Sequence, residues 1–97
     1  MYYRNYVFKS DSWTGPTSNI WNDDQCEHKG YINPGSGVST CKESCKTTVD
    51  CNAFNFNVLD TSCILRKCAY PVPSPLWDHA NHEGYHLGTK MKPVQIR

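Results

Sequence analysis

Ninety-seven residues hold one domain with a limited core and leave no room for a separate catalytic domain. A net charge of +1 supplies no global field to draw nucleic acid or an anionic membrane, and no stretch approaches the roughly twenty apolar residues of a membrane span. Six cysteines, an even number in a small chain, point to a disulfide framework and hence to an oxidising, secreted setting.

The opening Met1–Tyr6 lacks the apolar run of a signal peptide, which reads as a mature chain or an excised domain and leaves secretion resting on the cysteines alone. Residues 2–9, rich in Tyr, Val and Phe, suit a first strand. Residues 10–24 carry Gly15-Pro16 and many Ser, Thr, Asn and Asp residues, so they read as more loop than element, although they hold Trp13, Ile20 and Trp21. A second short strand is expected over 28–32, and Pro34-Gly35 marks a turn. Thr40 and Glu43 have the spacing of a capping box, in which each side chain satisfies a free backbone N–H at a helix start. Cys41 and Cys45 then fall one turn apart on one face of that helix. From Asn52 the period changes to two. Phe54, Phe56 and Val58 alternate with Ala53, Asn55 and Asn57, as in a half-buried strand. Asp60-Thr61-Ser62 supplies a turn and Cys63-Ile64-Leu65-Arg66 a returning strand. The prolines at 71, 73 and 75 keep residues 70–75 out of a sheet interior and extended over the surface. Residues 83–90, with Tyr85 and Leu87 in alternation, suit a closing strand.

Cysteine and histidine also build structural zinc sites. The chain has no Cys-x-x-Cys, and the gaps of three, five, eleven and four residues between Cys41, Cys45, Cys51, Cys63 and Cys68 do not form paired zinc knuckles. Disulfides are therefore the reading, with every connectivity open from spacing alone. The order of a helix bearing two cysteines, a cysteine opening an aromatic strand, and Cys-Ile-Leu after a turn resembles the PAN/apple family of extracellular domains over residues 40–66. The resemblance implies an α+β fold: a small disulfide-stapled domain, residues 1–97, with a curved antiparallel sheet packed on one helix. It also implies the pairs Cys41–Cys63 and Cys45–Cys51, and a role in binding proteins or glycans rather than in catalysis. Cys26 and Cys68 remain as the third pair; they lie well inside the chain, whereas the family's outer bridge joins cysteines near the domain's ends.

The densest chemistry lies in residues 78–86, where His79, His82 and His86 fall close together. On a helix they would share a face and could hold a metal, with Asp78 or Glu83 assisting. Pro75 and Gly84 oppose a sustained helix and the His-Glu-x-x-His order is absent, so a polar surface loop leading into a strand is expected, without metal or cofactor. No Gly-x-Ser-x-Gly elbow is present, and Asp23-Asp24 reads as a solvated turn rather than a catalytic pair. The chain is not expected to be an enzyme.

Binding is the surviving class. Trp13, Trp21 and Trp77 lie in segments read as loops, where an indole either plugs the core or anchors a ligand. The candidate ligand site comprises Trp77, Asp78, His79, Asn81 and Trp21, with Trp77 as the aromatic platform and its polar neighbours as hydrogen-bonding groups. Arg66, Lys67, Lys90 and Lys92 would form a basic patch if the closing strand lay beside the Cys63 strand, although neither cluster reaches the length of a basic recognition run. The sequence thus reads as a secreted binding or adhesion module for a glycan or an extracellular protein, free-standing or flanked by other domains. The alternatives are an inhibitor or toxin-like effector inserting residues 70–77 into a target, and a purely structural module of a larger extracellular protein.

Overall fold

The computed structural model of the chain describes residues 6–7, 13–69, 72–87 and 92–93. In chain order the elements are β1 (Tyr6–Val7), β2 (Trp13–Thr17), β3 (Cys26–Ile32), α1 (Val38–Thr47), β4 (Ala53–Asn57), β5 (Cys63–Cys68), β6 (His82–Leu87) and β7 (Lys92–Pro93). β1 pairs with β7, and the other strands form one antiparallel sheet in the order β2-β6-β4-β5-β3. The domain is thus a small α+β fold with one helix among the described residues, a five-stranded antiparallel sheet and three disulfides.

The central strand explains most of the packing. β4 is hydrogen-bonded to β5 on one side and β6 on the other, so its backbone polar groups are all inside the ladder. One face carries Phe54 and Phe56, which join Leu65 and Tyr85 beneath the buried Cys41 and Cys45 of the helix. Phe54 stacks on Tyr85 at 5.0 Å between ring centroids, and Trp13 meets its edge at 5.3 Å. Each of these large side chains contributes about 2 kcal/mol of hydrophobic stabilisation. The other face is also covered. Ala53 packs with Trp21, Cys26, Cys68 and Val72. The expected half-buried strand is therefore buried on both faces: Asn55, on the nominally polar side, is only 1 % exposed, while Val58 falls outside the strand in the turn and is 40 % exposed.

Two local expectations are corrected. The helix begins at Val38, two residues before the proposed cap, with Gly37 at the N-cap position and no side-chain capping bond. Gly37 has φ of 92°, a conformation open to glycine and costly to other residues, so backbone geometry fixes the helix start. Glu43 instead lies 3.9 Å from Lys46, one turn along. Residues 10–24 contain a strand where a loop was expected: β2 pairs with β6, and its cis Gly15-Pro16 peptide falls where the register shifts. A proline is tolerated there because β2 is an edge strand.

The helix is tied to β5 by Cys41–Cys63 and to the start of β4 by Cys45–Cys51. Cys26–Cys68 joins directly opposed residues of β3 and β5, with Cα atoms 4.3 Å apart. All three pairings agree with expectation, and three such bridges suit an oxidising environment. Among the described residues, no helix is long and apolar enough to cross a membrane.

Candidate binding cleft

Two segments without regular structure cover the second face of the sheet, and their contact builds the site. Ile20 and Trp77 exchange both backbone hydrogen bonds, at 2.9 and 3.0 Å, as a one-pair antiparallel bridge. Prolines 73 and 75 have no N–H to offer a ladder, and side chains of the other segment donate to their carbonyls. Trp21 Nε1 donates to the Pro73 carbonyl at 2.8 Å and Asn19 Nδ2 to that of Pro75 at 3.5 Å. Gln25 spans the junction, donating to the Ser74 carbonyl at 2.8 Å and accepting from the Leu76 N–H at 3.2 Å. These bonds present the Trp77 ring at the surface, 42 % exposed.

Beside that ring opens a cleft of about 430 Å³, lined by Asn22, Asp23, Asp24, His28, Ile64, Arg66 and Trp77. Arg66 forms its floor. Ile64, Arg66 and Cys68 share one face of β5, and Arg66 is 2 % exposed. A guanidinium so deep needs an ionic partner. Its Nη1 donates to Asp23 Oδ1 at 2.5 Å and to the Cys26 carbonyl at 3.4 Å, while its Nε is buried with no acceptor among the described residues. The hydrogen bond and charge of Arg66 hold the Asp23 carboxyl below the usual carboxylate range. Asp23 is thus both solvent-facing and fixed in direction.

The expected site residues separate. Trp77 lines the cleft. Asp78, His79 and Asn81 are exposed but are not part of its lining. The His79 ring meets Trp77 edge-on at 5.0 Å and the His82 ring at 4.1 Å, so these three form a surface ring cluster beside the cleft. Trp21 is corrected as a ligand contact: it is fully buried, T-shaped against His86, and its indole N–H is engaged by Pro73. His82 and His86 lie on β6 rather than on a helix, and among the described residues no three His, Cys, Asp or Glu side chains are grouped to hold a metal.

The basic patch was expected only if the closing strand lay beside the Cys63 strand, and that condition is not met. β6 lies between β4 and β2, away from β5. Arg66 is buried against Asp23, and Lys67 lies 3.8 Å from Asp50. Lys90 lies outside the described residues, as does the side chain of Lys92, whose backbone pairs with β1.

Asn22, Asp24, His28 and Ile64 escaped sequence reasoning because the cleft draws on four separate segments. One signal was present: Arg66 stands in phase with Ile64 and Cys68, and an arginine on the inward phase of a strand asks for a buried or half-buried acid. No family model, curated protein or solved structure matches the chain.

Proposed function

We propose that the chain is a secreted, PAN/apple-like binding module, not an enzyme, whose glycan or protein ligand seats in the cleft beside Trp77. The observation that carries the reading is the exposed indole of Trp77 at the wall of a cleft also lined by Asn22, Asp23 and His28. An indole left in water without a partner is uncommon, and aromatic rings in pockets are the usual energetic anchors of recognition. The disulfides and the cystine-tied helix support the PAN/apple assignment and the secreted setting. The effector alternative is less well served, because Val72, Pro73 and Pro75 are half-buried against the sheet rather than free to project.

A glycan array and a pull-down of extracellular proteins, each run with the native chain and with Trp77→Ala, test the reading. The expected outcome is a ligand whose affinity falls by about 2 kcal/mol in the variant. Ligands indifferent to Trp77 would refute the placement of the site.

A further inference from the structure

We propose that the cleft recognises a lysine side chain of a protein partner, the ammonium meeting Asp24 and the methylenes lying between Trp77 and Ile64. The inference rests on the reading of the Trp77 cleft as a ligand site. It starts from how the charges of the described residues are matched. Arg66 is matched by Asp23, Lys29 lies 3.9 Å from Glu27, and Lys67 lies 3.8 Å from Asp50. Asp24, inside the cleft, and Asp78, next to Trp77, are exposed and form no ion pair among the described residues. The unmatched charge at the cleft is therefore negative, while its wall and Ile64 are apolar.

A ligand complementary to that arrangement carries a positive tip on an aliphatic stem. An indole face attracts an ammonium through its ring quadrupole, and a carboxylate beside it adds a charge-assisted hydrogen bond. Lysine fits this better than a neutral sugar, whose hydroxyl-lined edge would leave Ile64 facing polar groups and Asp24 without a countercharge. At the floor, Arg66 is buried with its side chain 3 % exposed and its Nε–H lacks an acceptor among the described residues; a carbonyl of the lysine-bearing peptide would meet that need only if the guanidinium turned toward the cleft.

The test titrates the chain with Nα-acetyl-lysine methylamide, its uncharged norleucine counterpart, glucosamine and N-acetylglucosamine, following the Trp77 indole N–H by NMR. The lysine probe is expected to shift that signal, norleucine to do so at least fivefold more weakly, and Asp24→Asn to weaken lysine binding about fivefold. Asp50→Asn, remote from the cleft, should leave lysine binding unchanged, and the remaining amide signals report that both variants are folded. Equal binding of norleucine, no effect of Asp24→Asn, or no shift up to the solubility limit of the lysine probe overturns the proposal. Tighter binding of glucosamine than of lysine also overturns it and assigns the ammonium to an amino sugar. A shift with N-acetylglucosamine alone rejects lysine but keeps Trp77 as a glycan platform; Trp77→Ala without effect on any captured ligand rejects both.

Discussion

The side-chain amide of Asn55 forms both hydrogen bonds that a neighbouring strand would make with Trp21. Its Nδ2 donates to the Trp21 carbonyl at 2.8 Å and its Oδ1 accepts from the Trp21 N–H at 3.2 Å, with Asn55 1 % exposed. The pair fixes the segment that carries Ile20, and through the Ile20–Trp77 bridge it fixes the position of Trp77. Asn55→Ala leaves two buried backbone groups of Trp21 unsatisfied. It should destabilise the domain by about 3 kcal/mol, measured by urea unfolding. A loss below about 1 kcal/mol would show that Trp21 finds other partners.

Gly84 has an equally specific role. A Cβ there would lie 2.7 Å from Thr17 Oγ1, 2.8 Å from the Asn19 carbonyl oxygen and 3.0 Å from Trp21 Cζ3. Since one of these is backbone, the crowding cannot be relieved by a rotamer change alone. Gly84→Ala should cost about 2 kcal/mol or more and lower the Tm, whereas Gly35→Ala, with nothing within 4 Å of its Cβ, should lack the crowding and suffer only from its φ of 90°.

Acid should weaken the fold through two carboxylates. Asp23 is held below its ordinary value of 3.8 by the hydrogen bond and charge of Arg66, and Asp60 by hydrogen bonds from Ser62. A depressed carboxyl contributes stability that is complete above the unfolded-state value and is lost as pH falls through the folded one. Stability should therefore decline below about pH 4, and Asp23→Asn should make that decline shallower while lowering stability at neutral pH. Tyr85 acts at the other end: burial, then the nearby Glu83, raises its hydroxyl above 10.0. Its contribution is present below the unfolded-state value and disappears as pH rises through the folded one. Equilibrium unfolding across pH 2–11 reads both limbs, and a flat acid limb would contradict the role of Asp23.

The disulfides should rank by the chain they close. The separations are 6 residues for Cys45–Cys51, 22 for Cys41–Cys63 and 42 for Cys26–Cys68. Loop-closure entropy then gives about 2, 3 and 4 kcal/mol respectively. Double Cys→Ser variants compared by denaturant unfolding check the order. An inverted order would locate the main effect of the bridges in the folded state.

The framework was legible where local chemistry and tertiary structure agree. The body of the helix, though not its start, and the hairpin follow from patterns within residues 40–66, and the single-residue spacing of Phe54 and Phe56 marks the core face. Asn55 was misread because alternation says which residues share a face but not whether that face is wet. The segments of 18–25 and 72–80 that cover it have no periodicity of their own. β2 was hidden by Gly15 and Pro16, residues that an edge strand accommodates and that local propensity counts against a strand. Trp77 was singled out because it follows a proline-rich segment and precedes Asp78, His79 and Asn81; exposure itself is not written in a sequence, and Trp21, offered beside it, is buried. The cleft partners of Trp77 were not singled out, since Asp24, His28 and Ile64 meet it only through the fold.

The bridge between Ile20 and Trp77 holds the cleft's outer wall by hydrogen bonds, while every covalent tie lies elsewhere, between the helix and sheet or between β3 and β5. Scaffold and cleft wall are thereby separable to natural variation. Substitutions along residues 74–80 can alter what the wall presents without touching a cystine or the Phe54 core. The same chain plan can thus vary its cleft wall across descendants at little cost to folding.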